Sequence, residues 1–302
     1  MKSVKLLLIL FITGAFFSSC TLEDIIFDEP LEEVMTEYDL WYVDYHRTTG
    51  SGDVPFLSKA FTISFLNGSL YANNNIADIG ITGNGLGIKV GNYNTFNGFL
   101  EVFHGRDGGY DFDVFRISAN EIKITDTYNN VSYYLIGYQR HHFDYDKLFY
   151  ENIEYFLQEY IAWEKTATSV AGTINAFDEE NFLQFTPENT TTFYASKDSF
   201  GTNVDNIKWD FVGAYEVFDV QGYENLKILT LNYDNGDNEE FELSVINDSN
   251  IRLYHPRSKT TYEFAGRGFV QYLKSKEEQK HTVRNSGRKR TKIIRKTKVR
   301  TF

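Results

Sequence analysis

The sequence predicts an all-β protein built from two similar antiparallel β-meander units, each preceded by a short helix. Three observations support this prediction. The chain of 302 residues holds 26 Phe and 21 Tyr but only 4 Pro, a balance that suits pleated, half-buried strands. Its apolar residues recur in short alternating runs separated by Asn- and Gly-rich turns. The second half of the chain also repeats the apolar pattern of the first half.

The repeat is visible as a constant register. Residues 112–137 match residues 241–266 with a shift of 129, which pairs Tyr133 with Tyr262 and Gly137 with Gly266. Nearer the start of each unit the shift is 122. The residues paired by this smaller shift include Tyr38 with Tyr160 and Trp41 with Trp163. A fixed order of apolar positions with one change of length indicates a duplication that gives two units of one topology.

Strands of the first unit are predicted at residues 42–48, 60–65, 69–73, 87–93, 99–104, 110–117, 121–126 and 131–138. Those of the second unit are predicted at residues 226–233, 240–246, 251–255 and 261–265, with a turn at 235–237. The pair Asn67-Gly68 predicts a two-residue hairpin, because both residues tolerate the positive φ of a type I′ turn.

A helix is expected before each meander. Phe149, Ile153, Phe156 and Tyr160 recur at the spacing of one helical face, and Asp144 or Asp146 can cap the start of that helix. Residues 31–35 form a shorter counterpart before the first unit. Both helical stripes are interpreted as packing surfaces.

The segments Leu40-Trp41-Tyr42 and residues 61–68 (FTISFLNG) combine an early Trp with a Phe-rich strand that ends in Asn-Gly. With the meander that follows, this pattern resembles the lipocalin-like lipoproteins of bacteria that have an outer membrane. The resemblance implies a lipocalin-like barrel or sandwich in each unit, and either form is open at this point.

The N-terminus has the three parts of a secretory signal. Lys2 and Lys5 precede an apolar run at residues 6–17, which is too short to span a bilayer. The sequence Phe17-Ser18-Ser19-Cys20 then resembles the lipobox of bacterial lipoproteins, and this resemblance implies cleavage before Cys20 and acylation of its thiol. Cys20 is the single Cys of the chain, so no intramolecular disulfide can form.

These features divide the chain into five parts. Residues 1–19 are a lipoprotein signal peptide, 20–29 a tether, 30–140 the first meander, 141–273 a helix with the second meander, and 274–302 a basic tail. The expected location is the outer membrane. The acidic pair Glu23-Asp24 resembles a surface-export signal, so both the periplasmic and the surface-exposed face are open.

Charge is distributed unevenly. The tail has 12 Lys and Arg against two Glu, whereas residues 20–273 have 16 basic against 40 acidic residues, a net charge of −24. The acidic body disfavours nucleic acid as a partner. The tail lacks apolar periodicity and is expected to be disordered. Its positive charge could bind nucleic acid or anionic lipid, or attract the tail back onto the acidic body.

No motif of catalysis is found in the sequence. The six His lack HExxH spacing, the Gly-rich residues 83–87 lack the P-loop ending, and no GxSxG elbow occurs. The HxGH motif of nicotinate-mononucleotide adenylyltransferases is also missing. The sequence thus predicts a protein that is not an enzyme and has no cofactor. Calcium is the alternative left open by two acidic turns, at residues 107–113 and 234–240.

Two functions fit this pattern. The first is a binding module for a small apolar molecule or a glycan, with Trp41, Tyr71, Trp163 and Tyr194 as candidate ligand-binding residues. The second is a structural lipoprotein that docks another envelope protein. A cavity lined by the four aromatic residues would favour the first function, and filled interiors would favour the second.

Overall fold

The computed structural model describes residues 29–186, 191–270 and 290–300, which form two closed, antiparallel, eight-stranded β-barrels in tandem. This architecture confirms the all-β class and the two similar units with short helices before them. It also decides between barrel and sandwich in favour of the barrel.

The strands of the first barrel are Leu40–Gly50 (β1), Thr62–Leu66 (β2), Ser69–Asn73 (β3), Ile88–Phe96 (β4), Phe99–His104 (β5), Gly108–Ser118 (β6), Glu121–Asp126 (β7) and Val131–Tyr138 (β8). Each strand pairs with the next along the chain, and β8 closes the barrel on β1. The Asn67-Gly68 hairpin is confirmed, since φ is 50° at Asn67 and 72° at Gly68.

The strands of the second barrel are Tyr160–Val170 (β9), Phe182–Phe185 (β10), Thr192–Ser196 (β11), Phe211–Val220 (β12), Tyr223–Tyr233 (β13), Asn238–Asn247 (β14), Asn250–His255 (β15) and Thr260–Phe269 (β16). The order of pairing is the same as in the first barrel, with β16 closing on β9. The two units therefore share one topology, as the repeat predicts.

Among the described residues, three short α-helices precede the barrels: Leu31–Thr36 (α1) before the first, and Tyr145–Glu151 (α2) and Ile153–Leu157 (α3) before the second. Each barrel's buried Trp is bonded to the helix before it. Trp41 Nε1 donates to the Met35 carbonyl at 2.9 Å, and Trp163 Nε1 donates to the Leu157 carbonyl at 2.8 Å. Both indoles fill the barrel end beneath a helix, so the two units use the same plug.

The predicted helix through residues 149–160 is instead two helices that meet at Asn152. Asn152 has φ −118° and ψ 32°, outside the helical region, and its side-chain amide donates to the Leu148 carbonyl and the Tyr42 hydroxyl. These tertiary bonds hold the break. Tyr160 begins β9 rather than continuing the helix. Asp144 caps α2 by accepting a bond from the Lys147 N–H at 2.9 Å, as expected.

A glycine near the end of each barrel's last strand makes room for a tyrosine ring. A Cβ on Gly137 would lie 2.4 Å from the Tyr38 ring, and one on Gly266 would lie 2.4 Å from the Tyr160 ring. Gly137 is opposite Trp41 in the sheet, and Gly266 is opposite Trp163. This repeated Gly–Tyr–Trp corner closes both barrels, and it explains why the two glycines stand in register in the sequence.

The two barrels share part of one core. The larger buried cluster contains the interior of the second barrel together with Tyr42, Phe61 and Ile76 of the first. At the junction, the Glu159 carboxylate accepts bonds from the Ile76 and Ala77 N–H groups at 2.6 and 2.8 Å. The barrels are thus joined by apolar packing and by a fully buried carboxylate.

Residues 290–300, which we call the C-terminal segment, lie against the barrels. Thr297–Lys298 (β17) adds to β12 as a parallel strand, and Arg290 is only 2% exposed. This finding corrects the expectation of a disordered tail for these residues. Apolar periodicity was the wrong criterion, because hydrogen bonds and ion pairs made by Arg and Lys hold this segment in place. The rest of the predicted tail lies outside the described residues.

Candidate functional site

The candidate site is a cavity of about 440 Å³ at one mouth of the second barrel. Its walls are formed by loops between successive strands and by the ends of those strands. The lining includes Glu180, Lys197, Phe211, Tyr233, Asp237, Glu239 and Arg257. A volume of several hundred Å³ is of the size that small ligands occupy in proteins.

A buried carboxylate and a phenol form one wall. The Tyr233 hydroxyl lies 3.0 and 2.8 Å from the two Glu180 carboxylate oxygens and donates to them. Burial raises the pKa of Glu180 to about 7, and the Tyr233 bond opposes part of that rise. Glu180 therefore changes charge near neutral pH, at the edge of a cavity.

The loop that presents Glu180 is fixed by a second polar network. The Tyr262 hydroxyl donates to Asp178 Oδ1 at 2.5 Å, and Lys165 Nζ donates to the Asp178 carbonyl at 2.6 Å. Phe177 of the same loop packs on the Phe241 ring at a centroid distance of 4.5 Å. These contacts anchor the loop to the barrel interior and thereby fix the position of Glu180.

The buried His255 contacts Glu239, which lines the cavity. Its Nδ1 is 2.7 Å from Ser258 Oγ, and its Nε2 is 2.8 Å from Glu239 Oε2. The second contact lacks hydrogen-bond geometry and is an ion pair when the imidazole is protonated.

Aromatic rings pack together at the equivalent mouth of the first barrel. There the Phe56 ring, from the loop between β1 and β2, stacks on His104 at a centroid distance of 5.1 Å and an interplanar angle of 12°. The ring of Phe56 also lies 5.6 Å from Tyr110. By the 129-residue register, His104 corresponds to Tyr233 and Tyr110 to Glu239. The second barrel has a ring in the equivalent loop, Phe177, but it has Tyr233 and Glu239 in place of His104 and Tyr110, and both of these residues line the cavity.

The four aromatic residues proposed from the sequence do not surround this cavity. Trp41 and Trp163 are 1% and 0% exposed, and each plugs its own barrel. Tyr71 and Tyr194 alternate with inward-facing neighbours and therefore lie on the outer barrel faces, where Tyr194 packs near Trp209 at 6.0 Å. Buried apolar side chains line the interiors of both barrels.

The acidic turns raised the alternative of calcium. In the described part of the chain, no three His, Cys, Asp or Glu side chains are grouped so that they could hold a metal ion. Asp107 instead lies 3.2 Å from His104 Nδ1, and Asp237 accepts a bond from the side chain of Asn235 at 2.8 Å. His141 and His142 lie in a short 3₁₀ turn between the barrels.

The raised pKa of Glu180 gives a prediction for stability. Between its ordinary value of 4.5 and about 7, the folded protein keeps a proton that the unfolded chain releases. Stability from this group is therefore lost as the pH rises through that window. Relative to Glu180→Gln, the native free energy of unfolding should fall by up to about 3 kcal/mol between pH 4 and pH 8.

Urea unfolding of both proteins across this range measures the difference, in which other titrating groups cancel. Parallel pH profiles for the native protein and Glu180→Gln would contradict the assignment.

No described helix combines the length and the apolar character required to cross a membrane. The chain matches no protein-family model and no curated protein sequence.

Proposed function

We propose that this protein is a non-enzymatic, lipid-anchored binding protein of the outer membrane that holds a glycan in the mouth of its second barrel. The supporting observation is the polar cavity of about 440 Å³ at the mouth of the second barrel. Tyr233 and Glu239, which line it, replace His104 and Tyr110 of the first repeat. Whether the protein faces the periplasm or the outside is open in this proposal.

The chemistry of the cavity favours a glycan over an apolar molecule. Glu180, Asp237 and Glu239 offer carboxylate oxygens, and Asn235 and Asn238 offer amides, all of which can bond to sugar hydroxyls. Phe211 supplies a ring against which the C–H face of a sugar can pack. An apolar ligand would remove water from these polar groups and offer them no hydrogen bonds in return.

A glycan array, followed by calorimetry on the best binder, tests this proposal. Phe211→Ala and Glu239→Gln should each weaken binding by about tenfold, which corresponds to the loss of one ring contact or charged hydrogen bond. Tyr128→Ala is the matched control, because Tyr128 is the counterpart of Arg257 in the first barrel and is 95% exposed. Absence of glycan binding, or equal binding by all variants, would contradict the proposal.

A second candidate function is docking of another envelope protein. The filled interiors favour it, as do three exposed rings on the outside of the first barrel: Phe96, Phe99 and Phe103 are 67%, 47% and 51% exposed. Phe99→Ser should then weaken capture of that partner and leave glycan binding unchanged. Failure of every glycan to bind would make this the leading function.

The anchor is proposed from the sequence, and Cys20 lies outside the described residues. We expect the mature protein to begin at an acylated Cys20, because the segment before it resembles a lipobox and no second Cys exists. Mass spectrometry of the N-terminal peptide from membranes tests this expectation. Cys20→Ser should release the protein from the membrane fraction. A variant that stayed membrane-bound and was processed as before would refute the anchor.

A further inference from the structure

The C-terminal segment begins with an arginine in a closely fitting socket. The Arg290 guanidinium donates to the carbonyls of Val43 and Ala60 at 2.8 and 2.7 Å and to Asn152 Oδ1 at 2.8 Å. Its central carbon lies 4.3 Å from the centre of the Phe61 ring. These acceptors suit the planar, five-donor guanidinium, and a lysine ammonium cannot reach them all at once. The socket is therefore selective for arginine.

Five residues later a second arginine is fixed by a carboxylate. Arg295 forms two bonds to Glu154, at 2.7 and 2.5 Å, and one to the Glu151 carbonyl at 2.7 Å. The Arg295 and Glu154 side chains are only 7% and 10% exposed. A bidentate pair of this kind fixes both the position and the orientation of the segment.

The segment then adds a strand to the second barrel. β11 pairs with β12 only over Phe211–Ala214, which leaves a later part of the β12 edge free. Along that part, the Asp219 N–H donates to the Lys296 carbonyl and the Gln221 N–H donates to the Lys298 carbonyl, both at 3.0 Å. Addition of an extended peptide to a free sheet edge is a common mode of peptide recognition.

Alternate side chains of the added strand are basic, and each meets a carboxylate. Lys296 lies 2.9 Å from Glu216, Lys298 lies 2.5 Å from Glu240, and Arg300 lies 2.5 Å from Glu242. Two of the segment's apolar side chains, Ile294 and Val299, point to solvent and are 88% and 69% exposed. Charge and hydrogen bonds therefore hold the segment. A strand belonging to the core would instead bury its apolar residues.

We infer that this surface is a binding site for basic, extended peptides, which the C-terminal segment occupies as an internal ligand. A partner protein with arginine and lysine at the same spacing would displace it. The acidic body, with a net charge of −24 over residues 20–273, would attract such a partner. Because most of its contacts are hydrogen bonds and ion pairs, the segment can exchange with a partner peptide that supplies the same groups.

The test uses the full chain and a fluorescent peptide of residues 288–300. Arg290→Ala/Arg295→Ala weakens the chain's own segment and leaves the barrel surface intact. This opened chain should bind the peptide about tenfold more tightly than the native chain does, because in the native chain the C-terminal segment already occupies the site. Arg295→Ala/Arg300→Ala is a second opened chain, in which Arg290 remains to fill the socket. Melting curves confirm that each variant is folded.

Two controls decide the outcome. Adding Glu154→Gln to an opened chain should weaken peptide binding by about tenfold, because the bidentate pair is lost. A scrambled peptide of the same composition should bind about tenfold more weakly than the natural one, because it has the charge without the spacing. Equal binding of the scrambled peptide, no effect of Glu154→Gln, or no binding by the folded opened chains would each overturn the inference.

Discussion

Trp163→Ala is expected to lower the free energy of unfolding by about 3–5 kcal/mol. Trp163 is fully buried, its ring lies 5.4 Å from Phe156 and 4.8 Å from Tyr160, and its Nε1–H donates to the Leu157 carbonyl. The substitution would open a cavity at the closed end of the barrel and leave a helix carbonyl without its partner. Trp41→Ala should cost a similar amount in the first barrel, because Trp41 is also buried, packs on Tyr38 at 5.2 Å and donates to the Met35 carbonyl.

Urea unfolding measures both losses, and the third tryptophan is the control. Trp209 is only partly buried, so Trp209→Ala should cost distinctly less than either plug variant. If all three variants lost the same stability, the two buried indoles would not have the special role assigned to them.

Glu159→Ala is expected to lower the free energy of unfolding by about 2–6 kcal/mol, the cost of two unsatisfied buried donors. It removes the acceptor of two buried N–H groups, on Ile76 and Ala77, and each unsatisfied buried donor costs about 1–3 kcal/mol. Because these bonds join the two units, the variant should also uncouple them. Tryptophan fluorescence should then show two unfolding transitions where the native protein shows one.

Glu159→Gln is the matched variant, since its amide keeps one acceptor oxygen at the same position. It should lose less stability than Glu159→Ala and keep a single transition. A stability for Glu159→Ala within 1 kcal/mol of the native value, about the size of a surface change, would show that the junction depends on packing alone.

Much of the fold was predictable, because local chemistry and the repeat point the same way. Asn67-Gly68 can form only a tight hairpin, and the alternation of apolar residues placed β3, β5, β7 and β8 at their observed bounds. Barrel closure was not predictable from these signals. It depends on Gly137 and Gly266, which make room for a tyrosine ring. The sequence shows each glycine but does not indicate which ring will pack against it.

The site was less predictable, for two physical reasons. Trp41 and Trp163 were taken as ligand contacts, although a large aromatic ring next to a helix serves equally well as a plug. The better signal was in the repeat itself, where Tyr110 of one copy aligns with Glu239 of the other. Glu239 occupies an inward-facing position at the barrel mouth and lines the cavity. Neither the alternation of apolar residues nor the repeat predicts that Arg290 is buried against the barrels.

The closure of each barrel on its own first strand has a mechanical consequence. β1 and β8 are antiparallel neighbours, and Leu40, at the start of β1, is paired with Tyr138, at the end of β8. A force that pulls the first residue of the barrel away from its last residue therefore acts on that pair first. Antiparallel bonds pulled from one end break in succession, as a zipper opens, and none shares the load with the next. The strands β9 and β16 have the same arrangement, with Tyr160 opposite Phe269. Under tension each barrel would open along this one seam, at a force far below that needed to slide whole strands past one another.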